Sequence, residues 1–260
     1  MEEPNVNYFL HEELIHYCDV NTLHPVVDEL ICTHCGLCAD LCEFNALAVL
    51  PSQVMVFDEL CHGCGLCNLA CPAKAISETI RTLGTISKSV RPQSKVSNNS
   101  MRNLCFYEGR LIVGQAIATP IIRALKKIAL EENFDHIILD LPPGSSCPVV
   151  NGLSNSDFVV LVTEPTPAGE HDLNIAIQVT EMLKLPFGIV NNRSDIGDDR
   201  ISRLASKNGY NLLSEIPHDN DILHYYSRGL PLVGMHERFD FVFEQLWHQI
   251  TEVYKWQHKV

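Results

Sequence analysis

Residues 32–47 read CTHCGLCADLCEFNAL, and the pattern returns at residues 61–76 as CHGCGLCNLACPAKAI. A shift of 29 residues superposes the four cysteines of one unit on those of the other, together with a Gly-Leu pair and a later alanine. Eight of the chain's 11 cysteines lie in this repeat. Such clustering differs from a disulfide framework and indicates metal binding.

Each unit has the spacing C-x₂-C-x₂-C-x₃-C, by which bacterial-type ferredoxins hold two cubane clusters. The close spacing lets three thiolates on one loop reach three corners of a cubane, while the fourth thiolate comes from the other unit. The glycine after each second cysteine leaves room for backbone N–H groups to face inorganic sulfide. Because the fourth thiolate of each cluster comes from the other unit, the sequence predicts two [4Fe–4S] clusters. One is held by Cys32, Cys35, Cys38 and Cys71, and the other by Cys61, Cys64, Cys67 and Cys42.

Zinc is the alternative for the same cysteines, because two structural zinc sites would also use eight thiolates. Zinc modules, however, normally pair C-x₂-C units across a long spacer. Only the second unit has proline after its last cysteine (Pro72), where the first has Glu43. That difference affects the turn and leaves the set of ligands unchanged.

The whole chain has the composition of a globular protein, with 260 residues, 46% hydrophobic and 20% charged. Because no apolar run reaches membrane-spanning length and the N-terminus lacks signal-peptide features, we expect a cytoplasmic protein without a membrane span. The net charge of −13 argues against nucleic acid as a partner. The basic, Ser/Asn-rich stretch at 87–102 has the composition of a solvated connector.

After residue 100 the pattern alternates between strands and helices. We predict strands at 134–140, 156–165, 185–193 and 211–217, and helices at 171–185, 201–210, 219–227 and 239–254. Strands separated by helices imply a parallel sheet whose ligands lie beyond the carboxyl ends of the strands, where Asp140, Glu164, Asn192 and Pro217 fall. Asp140 is the candidate for holding a Mg²⁺-bound water, and Gly144 could donate an N–H to a γ-phosphate. The plainer alternative is that Asp140 caps a turn at Pro142-Pro143-Gly144.

The chain resembles the MinD/Mrp-type P-loop ATPases that carry an inserted ferredoxin domain. The matching pieces are EEPN (2–5), CEFNA (42–46), GRLIVGQA (109–116), LPPGSSCPV (141–149), VTEPTPAGEHDL (162–173), NRSDIGDD (192–199), EIPHD (215–219) and YSRGLPLV (226–233). The resemblance implies an α/β parallel-sheet P-loop NTPase-like fold in three parts: residues 1–27 as a remnant of the nucleotide-binding domain, 28–78 as a small α+β ferredoxin domain, and 79–260 as the P-loop NTPase-like domain. It also implies that Asn192 and Pro217 lie near adenine, and Asp140 near Mg²⁺.

One departure from this family concerns the phosphate loop. No GxxxxGK[ST] motif occurs, and the nearest candidate, GRLIVGQ at 109–115, has Gln115 in place of the lysine. We therefore expect a truncated or mis-started version of a longer, N-terminally more complete protein. ATP and Mg²⁺ would be cofactors only with the missing segment supplied, so no catalytic residue is assigned and no ATP hydrolysis is expected.

The sequence leaves three functions open. The first is electron transfer, or redox coupling to a MinD-type nucleotide switch, with an unknown redox partner and a possible homodimer by family analogy. The second is an ATP-dependent iron–sulfur cluster carrier or assembly factor, if a longer N-terminus exists. The third is a structural role for the clusters. Cys147 is expected to be a small buried hydrophobe, and alternatively a ligand or redox thiol.

Overall fold

The structure is a computed structural model that describes residues 5–90, 104–115, 117–132, 134–232 and 237–257. In chain order its elements are α1 (Asn7–Leu10), β1 (Leu14–Val27), α2 (Leu37–Asp40), β2 (Leu47–Val49), β3 (Val54–Val56), α3 (Leu66–Ala70), β4 (Ile76–Ser89), β5 (Tyr107–Leu111), α4 (Thr119–Glu131), α5 (Cys147–Leu153), β6 (Val159–Thr163), α6 (Pro167–Met182), β7 (Phe187–Asn192), α7 (Arg200–Asn208), β8 (Leu212–Ile216), α8 (Asn220–Ser227) and α9 (Glu237–Gln257). The chain forms two compact units. The cysteine unit contains the described residues from 13 to 137, and the parallel-sheet unit contains 5–12 and those from 138 onward.

The cysteine unit is built on a long antiparallel pair. Strands β1 and β4 are each 14 residues long, and their register runs from Leu14 opposite Ser89 to Val27 opposite Ile76. At its far end the pair continues into the hydrogen bond from Asp28 N to Ala75 O, at 2.7 Å. Strands β1 and β4 therefore hold both ends of the cysteine repeat. The repeat lies between them in the sequence and contains the short antiparallel pair β2–β3.

Strand β5 extends this sheet to the order β1-β4-β5, and α4 packs on it. The core contains Val20, Ile86 and Ile121, of which the last two are fully buried. The helix lies so near the sheet that a Cβ at Gly109 would be 2.4 Å from Ile121. Burying one aliphatic side chain of this size stabilises the fold by about 1.5–3 kcal/mol.

The parallel-sheet unit has the strand order β6-β7-β8, with both pairs parallel. Parallel neighbours need a crossover, and α6 and α7 supply it between successive strands. The apolar faces of these helices meet the sheet in a core that contains Leu173, Ile177, Ile189, Ile201 and Ala205. The predicted fold class, a parallel α/β domain with a small α+β domain around the cysteine repeat, is confirmed.

The predicted strands at 156–165, 185–193 and 211–217 correspond to β6, β7 and β8, and the four predicted helices to α6, α7, α8 and α9. The prediction of a buried strand at 134–140 is wrong. The described residues of this stretch form no strand, and Ile137 and Ile138 are 39% and 84% exposed. A strand needs a hydrogen-bonded neighbour, and the described parallel sheet, β6-β7-β8, does not include this stretch.

Some sequence-based predictions are not tested by these elements. The domain limits at 1–27, 28–78 and 79–260 stay predictions. The connector predicted at 87–102 is wrong for residues 87–89, which belong to β4 and include the buried Ser89. Residues 91–102 and most of the EEPN stretch lie outside the described residues. Within the described part of the chain, no helix combines the length and the apolar character that crossing a membrane requires.

Candidate metal centre

The two cysteine units adopt the same local backbone structure. Gly36 and Gly65, which are equivalent in the repeat, have φ values of 84° and 77° and immediately precede the short helices α2 and α3. Asn45 and Lys74 are also equivalent, and both have φ 52°. Because positive φ is rare for residues with a side chain, its recurrence at matching positions shows that the sequence duplication is a structural duplication.

Two recesses lie among the cysteines, and each combines both repeat units. The first recess is lined by Cys32, Cys35, Cys38 and Cys71. The second recess is lined by Cys61, Cys64, Cys67 and Cys42, and Cys38 also reaches it. Each recess thus brings together three cysteines of one unit and the last cysteine of the other.

Backbone N–H groups donate hydrogen bonds to sulfur at repeated positions. Ala46 N–H donates to Cys42 Sγ and Ala75 N–H donates to Cys71 Sγ, each at 3.3 Å. Both donors belong to buried alanines that are equivalent in the repeat. Such bonds favour the thiolate form and, in iron–sulfur sites, help to set the reduction potential.

The middle cysteines of the two helices have matching electrostatic environments. Burial raises the pKa of the Cys38 and Cys67 thiols, and the backbone N–H groups of Ala39 and Asn68 partly oppose this by lowering it. The two neighbouring cysteines of the same unit raise each pKa further. A metal cation would therefore have to supply the positive charge that stabilises these thiolates together.

A zinc ion draws its four thiolates closer together than a cubane cluster does, because each thiolate of the cubane binds a different iron. In a tetrahedral zinc site with Zn–S bonds of about 2.3 Å, the sulfurs are roughly 3.8 Å apart. Within the described residues, the one set of three donors that approach one another within 4.8 Å is Glu29, Cys32 and His34, which contains a single cysteine. Among the residues described, no three cysteine sulfurs lie mutually within 4.8 Å, so the four thiolates of a zinc site are not assembled.

Two side-chain pairs beside the cysteines were missed by sequence reasoning. His34 Nε2 lies 2.9 Å from Glu29 Oε2, next to Cys32. The rings of Phe44 and His62 are stacked, with centroids 3.6 Å apart and an interplanar angle of 5°. The sequence signal that could have directed attention to Phe44 and His62 is that the two repeat units differ at these positions.

The residues predicted to bind nucleotide are only partly brought together. Asn192 ends β7 opposite Ile216, and Pro217 follows directly, so these two share the carboxyl end of the parallel sheet. The expectation that Asp140 ends a strand is wrong, since it lies exposed in the stretch that lacks strand pairing, and Gly144 follows in an exposed bend with φ 100°. Cys147, expected to be buried, is exposed at the start of α5 because its side chain lies outside the apolar contacts that Val149 and Leu153 make.

Comparison with known proteins supports the assignment of the cysteine repeat as a metal centre. The family model described as a 4Fe-4S binding domain matches residues 25–48 and again residues 54–77. An uncharacterized protein of Methanocaldococcus jannaschii is 32% identical over 190 residues, which cover 73% of this chain. An iron-sulfur cluster carrier protein of Rickettsia bellii is 32% identical over 123 residues, or 46% of this chain.

The chain spans only part of these relatives, 62% of the archaeal protein and 39% of the Rickettsia protein. Among solved structures, the MinD cell division protein of Aquifex aeolicus matches 58% of this chain and 64% of its own, with 17% identity and a TM-score of 0.40. Similarity at that level supports no conclusion about this chain. The evidence for [4Fe–4S] binding is therefore the duplicated family match together with the two cysteine-lined recesses.

Proposed function

We propose that the chain, which resembles the MinD/Mrp-type P-loop ATPases that carry a 4Fe–4S ferredoxin domain, binds two [4Fe–4S] clusters and acts as an iron–sulfur cluster carrier. The observation that supports two clusters best is the pair of recesses, each lined by three cysteines of one unit and the last cysteine of the other. In two-cluster ferredoxins, too, each cluster takes three thiolates from one unit and the fourth from the other.

The residues present fit such clusters. We assign Cys32, Cys35, Cys38 and Cys71 to the first recess, and Cys61, Cys64, Cys67 and Cys42 to the second. When bound, each cluster would supply a one-electron redox centre or a group that an acceptor protein can take up. The protein's own contribution is to orient the thiolates through the turns at Gly36 and Gly65 and to donate N–H groups to their sulfurs.

The carrier role is supported by the name of the Rickettsia relative, whose match covers less than half of this chain. Asp140, Gly144, Asn192 and Pro217 stay our candidates for contacts with nucleotide. ATP and Mg²⁺ would bind only with a phosphate loop from a further segment or chain, because the 260 residues contain no GxxxxGK[ST] motif.

Paired cysteine substitutions test the crossed assignment. After anaerobic purification, the chain should hold about eight irons, as two cubanes require. Cys32→Ser with Cys71→Ser removes two ligands of one cluster and should leave about four irons. Cys32→Ser with Cys42→Ser removes one ligand from each cluster and should leave fewer than about four irons.

If the two double variants instead retain equal iron, the crossed assignment is wrong. Zinc in place of iron, without visible absorbance, would overturn cluster binding altogether. Transfer to an acceptor is tested by mixing the loaded chain with an apo-ferredoxin and measuring the cluster spectrum of the re-isolated acceptor. A carrier raises that signal faster than an equal amount of free iron and sulfide.

Electron transfer is the second candidate function, favoured by the C-x₂-C-x₂-C-x₃-C spacing that bacterial ferredoxins use for permanent redox centres. It predicts reversible reduction under strong reductant, with the iron still bound after repeated cycles, and no transfer to the acceptor. Clusters that are neither reduced nor transferred would favour the structural role instead.

A further inference from the structure

The two recesses are related by the repeat, but they are lined differently where the repeat units diverge. Phe44 and His62 line the second recess. Moving each by 29 residues to its counterpart gives Ala73 and Thr33, and both line the first recess. Two small side chains in the first recess thus replace two aromatic rings in the second.

The two rings form a single cover beside the second recess. Their centroid separation of 3.6 Å and near-parallel planes put them in face-to-face contact. Because Phe44 follows Cys42 and His62 follows Cys61, the stack joins the backbone segments that supply two ligands of that recess. Neither a methyl nor a hydroxyl group can form such a contact, so the first recess lacks this cover.

The second cysteine loop is also fixed more firmly to the long strand pair. The Asp58 carboxylate lies 3.2 Å from His24 Nε2 of β1, and the Asp58 carbonyl accepts a hydrogen bond from Arg81 of β4 at 2.5 Å. The counterpart of Asp58 is Glu29, which instead contacts His34 and accepts an N–H from Val54. The Glu29 side chain therefore contacts His34 of its own loop and Val54 of β3, whereas Asp58 contacts β1 and β4.

Burial of the leading cysteines follows the same asymmetry. Cys61 is buried, with 8% of its surface exposed, whereas the equivalent Cys32 is half-buried. Beside Cys32, the Glu29 and His34 side chains are 37% and 23% exposed and bring polar groups to that ligand. Water and solutes therefore have easier access to a ligand of the first recess.

From these contacts we propose that the two sites are unequal in permanence: the second recess retains its cluster, and the first recess is the one that gives up its iron. The Phe44–His62 stack and the anchored loop set the difference. This inference rests on the proposed two-cluster binding and identifies which of the two sites would hand over its cluster.

Anaerobic iron release to an excess of a coloured chelator tests the proposal on the loaded chain. The release should have two phases of similar amplitude, with rates about tenfold apart, as changes around metal ligands typically produce. Cys42→Ser with Cys61→Ser leaves the first recess and should show the fast phase alone. Cys32→Ser with Cys71→Ser leaves the second recess and should show the slow phase alone.

An exchange variant tests the stated cause. Phe44→Ala with His62→Thr gives the second recess the small side chains of the first and should accelerate the slow phase about tenfold. Leu69→Ala is the matched control, because Leu69 is 86% exposed and lines neither recess, and it should leave both rates unchanged. The conservative variant Phe44→Tyr keeps a ring for stacking and should preserve the slow phase.

The outcomes separate this inference from the proposed function. Eight irons released in one phase, or a slower first recess, would overturn the inference and leave two-cluster binding intact. An iron content below about four atoms per chain would contradict two-cluster binding itself. Two phases without any transfer to an acceptor would uphold the inequality and argue against the carrier role.

Discussion

A Cβ atom added at Gly63 would lie 2.6 Å from the backbone oxygen of Leu23. Gly63 lies between Cys61 and Cys64, and Leu23 belongs to β1, so the second cysteine loop touches the strand backbone directly. The residue also has φ 64°, a conformation that disfavours side chains. The close approach to Leu23 requires glycine here, because the equivalent residue of the first unit, His34, also has a positive φ of 52° and yet carries a side chain, which contacts Glu29.

Replacing Gly63 with alanine should therefore lower the stability of the cysteine unit. The positive φ alone costs an L-residue about 1–2 kcal/mol, and the close approach to Leu23 adds a backbone displacement to that cost. Gly114→Ala is a suitable control, since Gly114 has φ 91° and no atom within 4 Å of its Cβ position. Thermal unfolding of the loaded chain should show a larger loss for Gly63→Ala, and equal losses would contradict the contact.

Tyr107 should titrate later than an ordinary tyrosine. Burial, and then the 2.7 Å hydrogen bond that its hydroxyl donates to Glu132, raise its pKa to about 12. Because the folded pKa lies above the unfolded value of about 10, this contribution to stability is complete below pH ~10 and is lost as the pH rises toward ~12. Phenolate absorbance should show a late titration near pH 12 that Tyr107→Phe removes, and burial also raises the pKa of Tyr210, whose titration should remain in this variant.

The Glu132 carboxylate is part of the cause, so Glu132→Gln should bring the late titration to lower pH. It also accepts a hydrogen bond from Lys88 Nζ at 2.7 Å, and this bond raises the pKa of Lys88. Glu131→Gln is the matched control, because that neighbouring glutamate is 65% exposed and pairs with Lys127. An unchanged Tyr107 titration in Glu132→Gln would show that burial alone sets the shift.

The core of the parallel-sheet unit should be sensitive to truncation at Ile189. This residue is fully buried in β7 among the helices α6 and α7. Ile189→Ala leaves a cavity and should lower the free energy of unfolding by about 2–5 kcal/mol. Val162→Ala on β6, where the side chain is 66% exposed, should cost far less, and a similar cost would place the core elsewhere.

Local periodicity and the cysteine spacing made much of this structure predictable. The strands β6, β7 and β8 each begin with apolar residues, and the duplicated cysteines predict which thiolates share a recess. The long pair β1–β4 was missed because the less exposed positions of β1 include the polar residues Thr22 and His24, so its apolar residues show no clear alternation. The 134–140 stretch has an apolar strand pattern, but pairing depends on a neighbour that local sequence does not report. The Phe44–His62 stack depends likewise on contacts between the two units of the repeat.

The last prediction concerns the start of α6, beside the carboxyl end of β6. The Thr166 side chain accepts a hydrogen bond from Gly169 N–H at 3.0 Å and so satisfies a free donor of the first helical turn. Thr166→Ala should cost about 1 kcal/mol, whereas Thr166→Ser keeps the accepting hydroxyl and should cost less. Denaturant unfolding followed by helical circular dichroism measures both variants. Because the chain has two units, the transition used must be the one that Ile189→Ala shifts. Equal losses for alanine and serine would mean that the methyl group of Thr166, and not its hydrogen bond, stabilises this end of the helix.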